Sequence, residues 1–107
     1  MSESGAVLVL STAPVDLAEG LADRLLEHRL AACVNLVGPV RSRYRWQGKI
    51  ETAAETLLVI KTLRATVPAL LTRLRELHTY EVPEALVVPV ESGLDAYLAW
   101  IADCCRP

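Results

Sequence analysis

Residues 33–62 read CVNLVGPVRSRYRWQGKIETAAETLLVIKT, and this stretch decides the fold. Its first arm is rich in β-branched and aromatic residues and breaks at Gly38-Pro39, where proline removes a ladder donor and predicts a bulge or an edge. Beyond the break, Arg41, Arg43 and Arg45 alternate with Ser42, Tyr44 and Trp46. A period of two is a strand. Gln47-Gly48 supplies a turn with a residue tolerant of positive φ, and Lys49 to Thr62 returns as the partner arm, ending in Leu57-Leu58-Val59-Ile60. The two arms predict one long hairpin.

Upstream of the hairpin, Ala6 to Thr12 holds the run Val7-Leu8-Val9-Leu10, closed by the breaker Pro14, and predicts a buried strand. From Asp16 to Leu30 the period changes: Leu17, Leu21, Leu25 and Leu26 share a helical face, with Asp16 leading and Arg24, His28 and Arg29 trailing as the helix dipole favours. Downstream, Thr66 is a candidate cap with Pro68 in the first turn, and Val67, Leu70, Leu71, Leu74 and Leu77 keep helical spacing up to His78. Ala85 to Val90 predicts a last strand whose Pro89 belongs on an edge or at a strand end. Ser92 and Asp95 form a capping-box signature, and Leu94, Tyr97, Leu98 and Ile101 space out a terminal helix. The order is β-α-β-β-α-β with an extra C-terminal helix, which predicts an α+β, ferredoxin-like sandwich with an antiparallel sheet in a single domain over residues 1–107. Residues 7–10, 57–60 and 86–88 are apolar at every position, so the sheet face away from the helices needs a cover. One terminal helix is too small for that, and a second copy of the chain is the expected cover.

Composition narrows the function. The chain has 107 residues, of which 52% are hydrophobic and 22% charged, a balance that fills a core and excludes disorder. A formal net charge of −2 and the absence of phenylalanine argue against nucleic-acid binding, whether by phosphate attraction or by base stacking of the RRM type. No apolar stretch approaches the ~20 residues that cross a bilayer, so no membrane partner is expected. Residues 1–5 hold Glu3 and no Lys or Arg, and the run that follows is too short for a signal-peptide core, which predicts a cytoplasmic protein. The odd count of three cysteines predicts reduced thiols, with Cys33 packed in the core and Cys104 or Cys105 open to thiol reagents.

The chemistry-bearing residues gather in few places. His78 to Glu84 reads HTYEVPE, and His78, Glu81 and Glu84 offer nitrogen and oxygen donors suited to zinc or copper. The same His78 also satisfies a helix C-terminus, and spacing alone favours that simpler role. Tyr44 and Trp46, with Glu51, Glu55 and Lys61 on the returning arm, can line a polar pocket. Arg41, Arg43 and Arg45 could grip an anion, though such a row more often forms a solvated edge. No nucleophile elbow, zinc-protease motif, phosphate loop or dinucleotide fingerprint occurs, and two histidines leave almost no nucleophile-base pair, so no catalytic residue is expected.

Six stretches in register together resemble the divalent-cation tolerance family, CutA: Ser11-Thr12-Ala13-Pro14, Leu30-Ala31-Ala32-Cys33-Val34-Asn35, Tyr44-Arg45-Trp46-Gln47-Gly48-Lys49-Ile50, Lys61-Thr62, His78-Thr79-Tyr80-Glu81-Val82-Pro83-Glu84 and Tyr97-Leu98-Ala99-Trp100-Ile101. The resemblance implies a tight homotrimer related in architecture to PII signalling proteins, without enzymatic activity and without an organic cofactor. Copper or zinc is its implied, weakly bound ligand, and metal tolerance its implied role. By position it implies that Trp46, Glu55, Lys61, His78, Tyr80 and Glu84 line a pocket between subunits, with His78 and Glu84 as metal ligands. Two positions depart from the family pattern: Thr79 replaces the usual proline, and Ser11 stands where some members carry a cysteine. A PII-like module that holds a small anionic ligand through Lys61 and the hairpin arginines is the alternative. An acylphosphatase-like hydrolase on the same fold fails, because Ser11 to Pro14 has neither a glycine-rich cradle nor an arginine.

Overall fold

A computed structural model describes residues 5–106. Strand β1 (Ala6–Pro14) leads into helix α1 (Val15–Glu27), the strands β2 (Cys33–Trp46) and β3 (Lys49–Leu63) form the hairpin, and α2 (Val67–Leu77), β4 (Leu86–Pro89) and α3 (Asp95–Cys104) complete the chain. The sheet is antiparallel throughout in the order β2-β3-β1-β4, which is the α+β ferredoxin-like order with an added terminal helix that the sequence predicts. Pro89 ends the edge strand β4, where its missing N–H breaks no ladder.

Alternation along the strands sorts the core. Val7, Val9, Ala13, Leu58 and Ile60 point to one face and pack with Leu21 and Leu25 of α1 and Leu70 and Leu74 of α2, all of them buried. Ser11 falls on that same face and is wholly buried, yet among the described residues its hydroxyl has no hydrogen-bond partner. The opposite face carries Leu8, Leu10, Leu57, Val59, Leu86 and Val88. There α3 covers one end only, through Ile101 and Cys105 against Ala6 and Ala32. Leu86 at 58% and Val88 at 39% exposure show how much of this apolar face the single chain leaves bare.

The hairpin outruns the sheet. β1 stops pairing at Pro14↔Glu55, so the ribbon from Val40 to Ala54 is held only by its own two strands. The register shifts between Val37 and Val40, around a cis Gly38-Pro39 peptide, which is the bulge that the proline predicts. Gly38 sits at φ +146, and a Cβ there would lie 2.9 Å from the Val40 nitrogen and 3.1 Å from the Glu55 carbonyl oxygen, so glycine alone fits.

Several local expectations need correction. α1 ends at Glu27 rather than Leu30, because Arg29 turns left-handed at φ 57 and reverses the chain. The Ser92-Asp95 signature does not cap α3, whose N-cap is Leu94 without a side-chain bond, and Thr66 precedes α2 without capping it. The cysteines are reversed in part. Cys33, at the start of the outer strand β2, is only half-buried, whereas Cys105 is buried with its Sγ 3.5 Å from Thr62 Oγ1, because α3 folds back under the sheet instead of fraying. Among the described residues, no helix is long and apolar enough to cross a membrane.

Candidate functional site

The segment after α2 is strapped to the sheet by side chains. His78 is the C-cap, and its N–H still reaches the Leu74 carbonyl at 2.9 Å while its backbone has already turned extended. Its buried ring spans two elements. Nδ1 accepts the Tyr80 N–H at 3.1 Å, which leaves the ring proton on Nε2 to be donated to the Thr12 carbonyl of β1 at 2.7 Å. The Tyr80 ring packs against the imidazole at 4.6 Å between centroids, and its hydroxyl donates to Glu55 Oε2 at 2.6 Å. Such a length is that of a charge-assisted bond to an ionised carboxylate. Burial first, then the Glu55 hydrogen bond and charge, with a lesser push from Tyr44, raise the phenol's pKa above its ordinary value.

Glu55 is 6% exposed and sits where β3 leaves the sheet for the ribbon, opposite both Pro14 and Val40. It forms, with Thr12, the floor of a cavity of about 430 Å³. Ser42, Arg43, Tyr44 and Trp46 of the ribbon make one wall, and Tyr80, Glu81, Val82 and Glu84 make the other. Tyr44 and Trp46 are each exposed by about two-fifths, at 43% and 40%, so the cavity opens to solvent beside them.

Of the six residues implied by resemblance, the fold brings Trp46, Glu55, Tyr80 and Glu84 to this one cavity. His78 lies behind its wall with both ring nitrogens hydrogen-bonded. Lys61 is six residues from Glu55 along β3, about 20 Å away at ~3.3 Å per residue, beside Cys33 Sγ at 3.9 Å and under the Tyr97 ring at 5.9 Å. The arginine row is not gathered either. Arg43 opposes Thr52, and Tyr44 opposes Glu51, so Arg41, Arg43 and Arg45 share the ribbon face opposite to Tyr44 and Trp46. Arg43 borders the cavity, but its guanidinium donates to Thr52 Oγ1 at 3.0 Å across the hairpin. Among the described residues, no group of three or more His, Cys, Asp or Glu side chains is arranged to hold a metal ion. Thr12 contributes chiefly a backbone carbonyl to the strap, a role that leaves no mark in a sequence.

The family of CutA1 divalent ion tolerance proteins matches residues 7–104. The chain belongs to this family. A relative in Pectobacterium atrosepticum, named divalent-cation tolerance protein CutA, is 48% identical over 90% of this chain and 88% of its own. The crystal structure of CutA from Xylella fastidiosa matches at a TM-score of 0.92 with 46% identity, covering 95% of this chain and 99% of that one. The PII-like protein CutA of Nostoc sp. PCC 7120 matches at 0.89 with 33% identity, over 94% and 97% of the two chains. The chain spans 48% of the length of the mouse and human CutA proteins. CutA1 membership agrees with the resemblance carried by the six stretches, and the Nostoc match agrees with the PII-like architecture.

Proposed function

We propose that this chain is a non-enzymatic binding protein of the cytoplasm that works as a homotrimer and takes up cations, divalent metal among them, in the cleft beneath the hairpin. The observation that carries the reading is the cleft's charge: three carboxylates, Glu55, Glu81 and Glu84, border it against the single guanidinium of Arg43, which is already tied to Thr52. The family's description as divalent ion tolerance proteins supports the metal arm of the reading. Copper or zinc binds there weakly and exchangeably, through Glu84 with Glu81 nearby, since a closed structural site needs four ligands. His78 joins only by releasing the Tyr80 N–H, so its part is to hold the cleft's wall. The bare apolar face of Leu8, Leu10, Leu57, Val59, Leu86 and Val88 supports assembly with further copies, and the ribbon from Val40 to Ala54 reaches away from its own sheet as an arm for a neighbour. Three free thiols suit a reducing compartment.

Calorimetric titration with Cu²⁺ and Zn²⁺ tests the site. Glu84→Gln weakens binding several-fold with the fold intact, whereas His78→Ala lowers stability more than affinity. Binding that is unchanged in Glu84→Gln and abolished in a folded His78→Ala protein would reverse the ligand assignment. Sedimentation equilibrium tests the assembly, and a stable monomer at micromolar concentration refutes it.

A further inference from the structure

Far from the cleft, the sheet itself holds two reactive side chains together. Cys33, the first residue of β2, stands directly opposite Lys61 of β3 in the ladder. Residues so placed share one face of the sheet, with Cβ atoms about 5 Å apart. The Lys61 ammonium donates to Cys33 Sγ at 3.9 Å, and the Tyr97 ring of α3 lies 5.9 Å from the same nitrogen. Tyr97 in turn packs on Trp100 at 5.4 Å between centroids. The amine is therefore aimed at the sulfur between the strand and a braced ring. All of these contacts lie within one chain, so every copy in an assembly carries the pair. Cys33 is half-buried, which admits a molecule as small as peroxide, whereas Cys105 is buried and has only the Thr62 hydroxyl beside its sulfur, at 3.5 Å. A sulfur with an amine next to it has a defined fate on oxidation: thiolate gives sulfenic acid, and sulfenic acid condenses with a neighbouring nitrogen to a sulfenamide.

We propose that Cys33 and Lys61 form a reversible, peroxide-driven cross-link, a sulfenamide between Sγ and Nζ. In the first step the Cys33 thiolate attacks one oxygen of hydrogen peroxide: the S–O bond forms, the O–O bond breaks and hydroxide leaves, so sulfur loses two electrons and peroxide gains them. Hydroxide then takes a proton from the Lys61 ammonium. The free amine attacks the sulfenyl sulfur, the S–N bond forms, the S–O bond breaks, and the hydroxyl departs as water with a second proton from the nitrogen. One peroxide has become two waters. The 3.9 Å gap closes by rotation of the flexible lysine stem, and the strands stay in place because residues 33 and 61 already oppose each other. The link ties the outer strand β2 to β3, removes one positive charge and holds the sulfur short of the irreversible sulfinic stage. A thiol reverses it by attacking the sulfur, which frees the amine and leaves a disulfide that a second thiol reduces.

Treatment of the assembled protein with a few equivalents of hydrogen peroxide, followed by tryptic digestion without reduction and mass spectrometry, tests the link. The Cys33 peptide is expected joined to the uncleaved Lys61 peptide, about 2 Da lighter than the two together, with cleavage after Lys61 lost and both peptides recovered after dithiothreitol. Lys61→Arg keeps the positive charge beside Tyr97 but offers no amine that condenses. In that variant no link is expected, and Cys33 passes to sulfinic acid, about 32 Da heavier, some five-fold faster than in the wild type. Circular dichroism and sedimentation check that the variant is folded, and the wild-type digest needs no variant at all. Trypsin that still cleaves after Lys61 once Cys33 is oxidised overturns the proposal, as does a Cys33 that excess peroxide leaves unchanged or a joined peptide that persists in dithiothreitol.

Discussion

Replacing Tyr80 by phenylalanine removes one oxygen from the strap and little else, since the ring that packs against His78 at 4.6 Å is retained. What is lost is the 2.6 Å bond to Glu55 Oε2. A hydrogen bond to a charged group contributes about 1.5–3 kcal/mol net. Tyr80 borders an open cavity, so water can take the vacated place, and the lower figure applies: about 1.5 kcal/mol, slightly more than ten-fold in the folding equilibrium. With a urea dependence of about 2 kcal/mol per molar, the unfolding midpoint falls by roughly 0.7 M, read at matched protomer concentration because assembly shifts apparent stability. The alkaline limb gives a second reading. The folded phenol's pKa lies above its unfolded value of about 10, so Tyr80's contribution is complete below that pH and is lost as pH rises through the folded pKa. The gap between wild type and Tyr80→Phe therefore narrows above about pH 10. A midpoint unchanged at pH 7, or a gap that widens with alkali, refutes the argument.

Ser11→Ala removes a buried hydroxyl that has no partner among the described residues, and thermal or urea unfolding is expected to show a gain of about 1 kcal/mol; a loss would mean that the hydroxyl is satisfied in solution. Gly38→Ala forces a Cβ to 2.9 Å from the Val40 nitrogen at φ +146, so it costs more than about 1 kcal/mol in urea unfolding, and a neutral result would refute the close approach. Native thiol labelling followed by mass spectrometry is expected to modify Cys104 well before the buried Cys105, and equal rates would contradict the docking of α3.

Periodicity and breakers make the hairpin, the bulge at Gly38-Pro39 and the edge position of Pro89 legible, because each follows from local stereochemistry, while the strand order follows from the β-α-β-β-α-β succession of elements. Element ends are less so. The close of α1 depends on Arg29 adopting a left-handed turn that its side chain does not announce, and α3 starts after an exposed Leu94 with no side-chain cap. In the cleft, strand alternation puts Trp46 and Glu55 on one side of the hairpin and the short HTYEVPE segment keeps Tyr80 near Glu84, but that the two groups meet in one cavity is legible only through the family resemblance. Alternation also separates the arginine row from Tyr44 and Trp46. The engagement of His78 is not recoverable, since one partner is a backbone carbonyl sixty-six residues earlier in the chain. The burial of Cys105 likewise depends on how α3 returns to the sheet.

β3 belongs to two bodies at once. Its later half is clamped between β1 and β2, its earlier half is the free ribbon, and Glu55 marks the passage between them. The residue at the floor of the cleft is thus the fulcrum of a lever whose arm, from Glu55 to the tip at Gly48, is about 23 Å at ~3.3 Å per residue. A tilt of roughly 10° about that point displaces the tip by about 4 Å while scarcely moving the carboxylate. A ligand that tilted the arm from its floor would therefore be read out as travel at the far end of the hairpin. Spin-label distances between Gly48 and the α1 surface, with and without bound cation, measure that travel, and an unchanged distance removes the lever.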